Sequence, residues 1–219
     1  MDESGSAEHL SSSLTDLMTS LMVIFILLLL VFISGSASEI SRVREVILEE
    51  LKQKLDPKGF GKDSVKSDPN DPAAILVIIP NKLMNFELGS AELGKEGADF
   101  LKTHIHQLAQ VVCNAEFKGS VDSVVVEGYS DESGFRGMDK EKSESENLKL
   151  SQQRSMQVVA SALEDLHDYP DERSCFLTKL SASGRGQQDQ LDNPENSRRV
   201  VFKIRVKARD IDRVVKEIK

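Results

Sequence analysis

The residue whose position most needs an explanation is Asp16, which stands at the start of a long apolar run. All residues from 17 to 33 are apolar except Thr19 and Ser20. A carboxylate at the edge of hydrocarbon is costly, so an acid there is a hypothesis of function. In a helix, Thr19 and Ser20 lie one turn from Asp16 on the same face, where their hydroxyls can bond the carboxyl or line a wet path. An interfacial acid that reaches water, or a helix cap, is the alternative.

A second pair of residues, Asp131 and Arg154, has the chemistry to bind a zwitterion. Asp131 follows a predicted strand, and Arg154 lies on a predicted helix. A zwitterion needs one anion and one cation that are held apart on a rigid surface, and the planar fork of Arg suits a carboxylate. A structural ion pair between the two side chains is the alternative.

Composition limits what else the chain can be. The 219 residues have a formal net charge of −8 and no Lys/Arg-rich patch, which argues against a nucleic-acid-binding protein. The His residues lack metal-ligand spacing, and no phosphate loop or catalytic triad pattern occurs, so we expect no enzyme, no metal and no cofactor. Cys113 and Cys175 form a disulfide if they are periplasmic, or remain two buried thiols.

The elements that position these residues begin with a membrane span. Residues 14–33 number 20, and as a helix they measure about 30 Å, the thickness of a hydrocarbon core. We therefore predict a tail at residues 1–13 and a transmembrane helix at 14–34. A cleaved signal peptide with its small residues at 34–38 is the alternative, but residues 1–13 contain no Lys or Arg.

An amphipathic helix and a linker are predicted at residues 39–72. Apolar residues recur at three- and four-residue steps on one stripe, at Ile40, Val43, Ile47, Leu51 and Leu55. Because so short a helix is marginal alone, we expect this stripe to pack against a second copy or a partner subunit. A stalk that lies on the membrane surface is the alternative. Residues 56–72 carry the Pro and Gly of a linker.

Residues 73–219 have the pattern of an α+β domain, an α/β sandwich in which helices cover one face of a mixed sheet. In chain order the predicted elements are a strand at 74–79, a helix at 89–112, a strand at 121–129, a helix at 147–166, a strand at 176–182, a strand at 200–206 and a closing helix at 210–219. The strand at 200–206 alternates apolar and charged side chains, which is typical of a half-buried strand.

Four short motifs occur in this domain in a fixed order. They are EGYSD at 127–131, NLKLSQQRS at 147–155, GRG at 184–186 and NSRRV at 196–200. Together they resemble the GxTD, NxxLSxxRA, GxG and NRRV motifs of the OmpA/MotB family of peptidoglycan-binding domains. The resemblance covers about residues 75–207, and it implies an OmpA-like fold.

The resemblance also implies roles for individual residues. Asp131 and Arg154 would hold the amine and carboxylate of a diaminopimelate residue in the cell-wall peptide. Asn147 would lie near the helix start, where it can cap the helix or bond ligand, and Leu150 would pack beneath the site. The segment 132–146 is longer than is usual in the family and rich in charge, so it can shield or reshape the pocket.

The sequence TDLMTSLM at residues 15–22 resembles the ADxMTxxM segment of MotB-type stator subunits. That resemblance implies a single-pass protein of the bacterial inner membrane, with a cytoplasmic N-terminus and a periplasmic domain. Two copies would lie inside a ring of five MotA-like subunits. Asp16 would take up a passing proton, or less readily a sodium ion, and release it. Protonation removes a costly charge, so each transit can switch contact with the ring.

Among stator subunits, the acidic tail at residues 1–13 favours a likeness to ZorB, which works with ZorA in the Zorya antiphage systems. Flagellar MotB commonly carries a basic tail, and it is the first alternative. The second is a passive cell-wall tether that uses its helix as an anchor and transports no ion.

Overall fold

The apolar run and the amphipathic stretch after it form one helix, α1 (Glu3–Lys54), in the computed structural model of the protein. The structure describes residues 3–55, 60, 63–84, 86–87, 89–133 and 137–207. By its contacts the chain divides into two units, Met1–Ile40 and Ser41–Lys219. The described part of α1 from Thr15 onward contains a stretch of mean hydropathy 2.9 with no buried residue, which is long and apolar enough to cross a membrane.

The amphipathic stripe at the end of α1 is buried within the chain itself. Ile47, Leu51 and Leu55 are at most 2% exposed. Leu55 borders the core of the following domain together with Val77 and Phe202. The prediction that this stripe packs against a second copy or a partner subunit is therefore wrong for these three residues, because the domain supplies the apolar surface that they need.

Within the described residues, five strands form one mixed sheet in the order β1-β2-β5-β3-β4. The strands are β1 (Val65–Ser67), β2 (Ala74–Pro80), β3 (Val121–Tyr129), β4 (Leu180–Gly186) and β5 (Arg199–Val206). β3 and β4 are parallel, and the other neighbouring pairs are antiparallel. β3 therefore lies inside the sheet, with β5 on one side and β4 on the other.

Within its described residues the domain has five further helices. They are α2 (Asn81–Met84), α3 (Lys95–Val112), α4 (Lys140–Asp165), α5 (Pro170–Lys179) and α6 (Pro194–Ser197). Val77, Phe202 and Val126 lie side by side on β2, β5 and β3 and are buried. Leu101 and Ile105 of α3 border the same core. β-branched and aromatic residues favour such a half-buried pleated surface, and the predicted α+β class is confirmed.

α4 packs on β3 and β4 through close backbone contacts. A Cβ atom placed on Gly128 would lie 2.2 Å from the carbonyl oxygen of Ser151, and one on Gly184 would lie 2.6 Å from the amide nitrogen of Gln152. Real Cβ atoms do not approach so closely, so both positions need glycine at this helix–sheet contact.

Two further elements differ from the prediction. β1 lies inside the predicted linker, where Val65 pairs with Val77 of β2. α5 occupies the start of the strand predicted at 176–182, and β4 begins only at Leu180. Pro170 in the first turn, with acidic residues after it, favours a helix there. The closing helix predicted at 210–219 lies outside the described residues.

α4 begins earlier than the motif predicts. Its first residue is Lys140, and the side chain of Asp139 caps it by accepting a hydrogen bond from the amide of Lys142 at 2.9 Å. Asn147 therefore lies about two turns inside the helix, and the prediction that it lies near the helix start is wrong. Residues 140–146 of the predicted charged loop are helical instead.

A disulfide joins the end of α3 to α5. Cys113 and Cys175 are 62 residues apart in the chain, and their Cα atoms lie 6.0 Å apart. Of the two states that the sequence left open for these cysteines, the structure has the bonded one.

Candidate functional site

The candidate site lies where β3 ends. Asp131 comes two residues after Tyr129, the last residue of the strand, and it is only 5% exposed. Its Oδ2 accepts a hydrogen bond from Arg198 Nη1 at 2.9 Å, and its Oδ1 accepts one from the amide of Ser133 at 3.1 Å. The ion-pair partner of Asp131 is thus Arg198, the residue that follows α6.

Arg154 enters the same region from α4. It lies on the buried stripe of the helix that also carries Asn147, Ser151 and Val158, which recur at helical spacing. Its guanidinium is anchored, since Nε donates to the carbonyl of Ser90 at 2.9 Å. Arg154 as a residue is as buried as Asp131, at 5% exposure.

The segment between α2 and α3 supplies the other contacts of the Arg154 guanidinium. Nη2 of Arg154 donates to the carbonyl of Glu87 at 3.1 Å, and its guanidinium carbon lies 5.0 Å from the centre of the Phe86 ring. A buried guanidinium needs such acceptors and an aromatic face, because leaving its N–H groups unbonded is costly. The segment therefore fixes Arg154 in one orientation.

Hydrogen bonds hold α4 against the end of β3. The hydroxyl of Ser151 accepts from the amide of Gly186 at 2.9 Å, and the carbonyl of Gly186 accepts from the amide of Ser130 at 2.8 Å. Asn147 Nδ2 donates to the carbonyl of Ser133 at 3.2 Å, which ties the backbone after Asp131 to the helix. Asn147 thus supports the site, although it does not cap the helix.

The charges at the site influence one another. Burial lowers the pKa of Arg154, the neighbouring charge of Arg198 lowers it as well, and Asp131 acts in the opposite direction. Arginine keeps its proton at any physiological pH. The site therefore combines two guanidinium groups with one carboxylate, an excess of one positive charge.

A second polar cluster lies beside the site, where β3, β4 and β5 meet. Tyr129 donates from its hydroxyl to Glu127 Oε2 at 2.7 Å, and the guanidinium of Arg199 lies 3.9 Å from the centre of the Tyr129 ring. Arg185 Nε lies 3.8 Å from Glu127 Oε1. Burial, followed by the bond to Glu127, raises the pKa of Tyr129 to about 12.

The other predicted site residues lie as follows. Leu150 is half-buried on α4, next to Ser151. Asp16, Thr19 and Ser20 are exposed on α1, in the first of the two units. Thr19 donates its hydroxyl proton to the carbonyl of Thr15 at 2.7 Å. Its oxygen can still accept a bond, but its proton is used within the helix.

Sequence reasoning missed Arg198 as the ion-pair partner of Asp131. It also missed the residues that contact the guanidinium of Arg154, which are Phe86, Glu87 and Ser90. The NSRRV motif contains Arg198, but two adjacent basic residues in a motif do not indicate which acidic residue either of them bonds. Among the residues that the structure describes, no group of three or more His, Cys, Asp or Glu could hold a metal ion.

Comparison with known proteins identifies the fold. No family model and no curated protein sequence match the chain. A crystal structure described as a MotB like protein from Desulfovibrio vulgaris is 17% identical, with a TM-score of 0.54, over 77% of this chain and 94% of that chain. At this identity the likeness establishes the fold alone: the chain has the fold of that protein.

Two further solved structures are similar at lower TM-scores. The periplasmic domain of Helicobacter pylori MotB is 14% identical, with a TM-score of 0.44, over 71% of this chain and 96% of that one. The cell wall anchor of the T6SS from Pseudomonas aeruginosa is 18% identical, with a TM-score of 0.42, over 69% of this chain and 96% of that one.

Proposed function

We propose that this chain anchors a stator-type complex of the bacterial inner membrane to peptidoglycan. The observation that carries this proposal is the buried pair Asp131 and Arg154 at the end of β3, in a domain with the fold of a MotB like protein. A carboxylate of the wall peptide binds Arg154, and the apolar part of α1 crosses the membrane. The predicted diaminopimelate residue is the ligand that supplies this carboxylate.

We further propose that the complex is an ion-driven motor and that Asp16 carries the ion, a proton rather than sodium. In this proposal two copies lie within five MotA-like subunits, the N-terminus is cytoplasmic and the domain is periplasmic. The support is the placement of Asp16 on α1 beside an apolar stretch, together with the resemblance of residues 15–22 to stator subunits. A carboxylate at the edge of hydrocarbon is costly, which makes an acid in that place a candidate carrier of the ion.

We also propose that the motor is of the ZorB type and acts in antiphage defence. The support is the acidic composition of residues 1–13, where flagellar MotB proteins commonly have basic residues. Cells that carry the gene with its neighbouring genes are then expected to resist phage, and their swimming is expected not to depend on it. Restoration of swimming in a strain that lacks its own MotB would instead support the flagellar role.

The anchoring role is tested by sedimentation of the full chain, in detergent, with purified cell-wall sacculi. Arg154→Ala is expected to lower the bound fraction strongly, at least about tenfold in affinity, because a charged hydrogen-bonding partner is lost. The control is Arg205→Ala, which removes another ion-paired arginine, bonded to Asp71 at 3.1 Å. Arg154→Lys keeps the charge without the fork, and circular dichroism checks that each variant folds. Unchanged binding by folded Arg154→Ala contradicts the assignment.

The motor role is tested by Asp16→Asn, which keeps the size of the side chain and removes its ionisation. We expect normal membrane insertion and complex assembly, together with loss of proton flux in reconstituted vesicles and loss of phage resistance in cells. The control is Asp122→Asn, which neutralises an exposed acid of the domain. Full activity of Asp16→Asn would support the passive tether instead.

A further inference from the structure

Asp131, the residue expected to hold the amine of a wall ligand, is already engaged by the protein. Arg198 Nη1 lies 2.9 Å from its Oδ2, the amide of Ser133 lies 3.1 Å from its Oδ1, and the side chain is 7% exposed. An incoming ammonium group must therefore share or displace the guanidinium of Arg198. A charge-assisted bond of this length is among the stronger hydrogen bonds in proteins, so displacement is unfavourable.

The donors at the site, by contrast, are not all used. Nε of Arg198 is buried and has no hydrogen-bond partner among the described residues, and the same is true of the hydroxyl of Ser130, which precedes Asp131. Ser130 is 3% exposed. Buried donors without partners cost free energy, which a ligand with acceptor oxygens could recover.

From these contacts we infer that Arg198 makes this site selective for a carboxylate, so that the ligand's carboxylate and not its amine supplies most of the binding free energy. Arg154 and Arg198 act together as the anion receptor, and Asp131 serves mainly as the counterion that positions Arg198. This inference rests on the proposed function and specifies which end of the zwitterion the site recognises.

The physical reason is the charge count of the site. Two guanidinium groups facing one carboxylate leave an excess of positive charge, which attracts an anion and repels an ammonium group. Removal of Arg198 cancels this excess, and it leaves the buried carboxylate of Asp131 without its bonded partner, so that an ammonium group gains an acceptor. Arg198 is thus a specificity-determining residue, and its loss should exchange one preference for the other.

The test uses the full chain in detergent and three ligands, with affinities from isothermal titration calorimetry. The first ligand is the wall tripeptide that ends in diaminopimelate, with the distal amine and carboxylate free. In the second ligand that amine is acetylated, and in the third that carboxylate is amidated. For the wild type we expect amidation to weaken binding about tenfold or more and acetylation by less than about threefold.

The variant Arg198→Gln is expected to exchange these two effects, so that acetylation becomes the more damaging change. Arg198→Lys retains a cation and should keep the wild-type order of the three ligands. Arg205→Gln, a matched loss of an ion-paired arginine from β5, should leave all three affinities unchanged. A purely structural role of Arg198 would not make acetylation and amidation exchange their effects on affinity in Arg198→Gln while the other two variants keep the wild-type order.

Three results would overturn the inference. Acetylation that weakens wild-type binding as much as amidation does would show that the amine is recognised equally. A folded Arg198→Gln variant with the wild-type order would show that Arg198 does not set the preference. If Arg198→Gln does not fold, the wild-type comparison decides alone. No binding of the free tripeptide to the wild type would overturn the proposed function itself, and the inference with it.

Discussion

At the scale of single residues, the candidate site consists of charged side chains that are buried and hydrogen-bonded within the protein. Arg154 and Asp131 are each 5% exposed, and each is held by named partners in the protein. A buried charge without partners would be strongly destabilising, so these bonds are needed for the charges to be tolerated at all. The same bonds fix the orientation that a ligand meets.

Tyr129→Phe tests the polar cluster beside the site. At neutral pH we expect a loss of stability of about 1–2 kcal/mol, because the hydroxyl that donates to Glu127 is removed. The pKa of Tyr129 is about 12, against 10.0 for an unperturbed tyrosine, so the unfolded chain loses this proton first as the pH rises. The proton therefore stabilises the wild-type fold below about pH 10, and this contribution is lost between about pH 10 and pH 12.

The measurement is urea unfolding of both chains across that range. The wild-type advantage of about 1–2 kcal/mol should shrink as the pH rises from about 10 to about 12. Tyr129→Phe has no phenol group at this position, so its free energy of unfolding should not show this contribution to the decrease between about pH 10 and pH 12. A wild-type advantage that is constant between neutral pH and about pH 12 would contradict the raised pKa.

The motifs predicted the two main site residues but not their bonding. Asp131 and Arg154 were selected by the resemblance to the family motifs, and their residue types suit the two ends of a zwitterion. Their predicted mutual ion pair, the alternative interpretation, differs from the structure, where Asp131 pairs with Arg198. That pairing depends on α6 bringing Arg198 back over the end of β3, a tertiary feature that no local pattern contains.

At the scale of elements, the close approach of α4 to the sheet is what positions Arg154. Glycine at 128 permits this approach, because a Cβ there would meet the carbonyl of Ser151 at 2.2 Å. Any larger residue must move α4, and Arg154 lies one turn further along the same helix. The stability of the domain and the position of Arg154 are therefore linked through this one contact.

Gly128→Ala is accordingly expected to lower the free energy of unfolding by about 3 kcal/mol, the upper part of the range for overpacking. It should also weaken binding to sacculi, because Arg154 shifts with α4. Thermal unfolding followed by circular dichroism, together with the sedimentation assay, measures both effects. The control is Gly35→Ala, since a Cβ at Gly35 would have no neighbour within 4 Å. Wild-type stability of Gly128→Ala would show that α4 does not pack as described.

The sequence predicted the elements whose patterns are strong and local. The β-branched runs predicted β2, β3 and β5 to within about one residue, since such runs fit a buried pleated surface. β1 was missed because a strand of three residues carries too little pattern and forms only by pairing with β2. The first turns of α4 were taken as a loop, although Lys and Glu are good helix formers and Asp139 is a good cap.

At the scale of the whole molecule, the disulfide crosslinks the second unit, Ser41–Lys219. Cys113 and Cys175 close a loop with a sequence separation of 62 residues. A crosslink over so long a loop restricts the unfolded chain, and the chain-entropy estimate is about 4 kcal/mol. The bond also joins α5 to α3 at the side of the domain where α5 replaces the predicted strand.

Replacement of both cysteines, Cys113→Ser with Cys175→Ser, should therefore lower the stability of the domain by about 2–5 kcal/mol. Reduction of the wild type should have a similar effect, and the same reductant should not change the double variant, which is the control. Thermal unfolding with and without dithiothreitol gives the comparison. Equal stability of oxidised and reduced wild type would exclude a stabilising role for the bond.

The position of the site within the sheet also bears on how the domain responds to mechanical load. Under the proposed anchoring role the domain carries tension through Arg198, which directly precedes β5, a strand with neighbouring strands on both sides. A pull along β5 strains its bonds to β2 and β3 at the same time, since the bonds of these antiparallel pairs run across the direction of the force. A ligand held on the edge strand β1 would load one row of bonds only. Attachment at the end of an interior strand would therefore suit the proposed anchoring role, because two rows of bonds share the load.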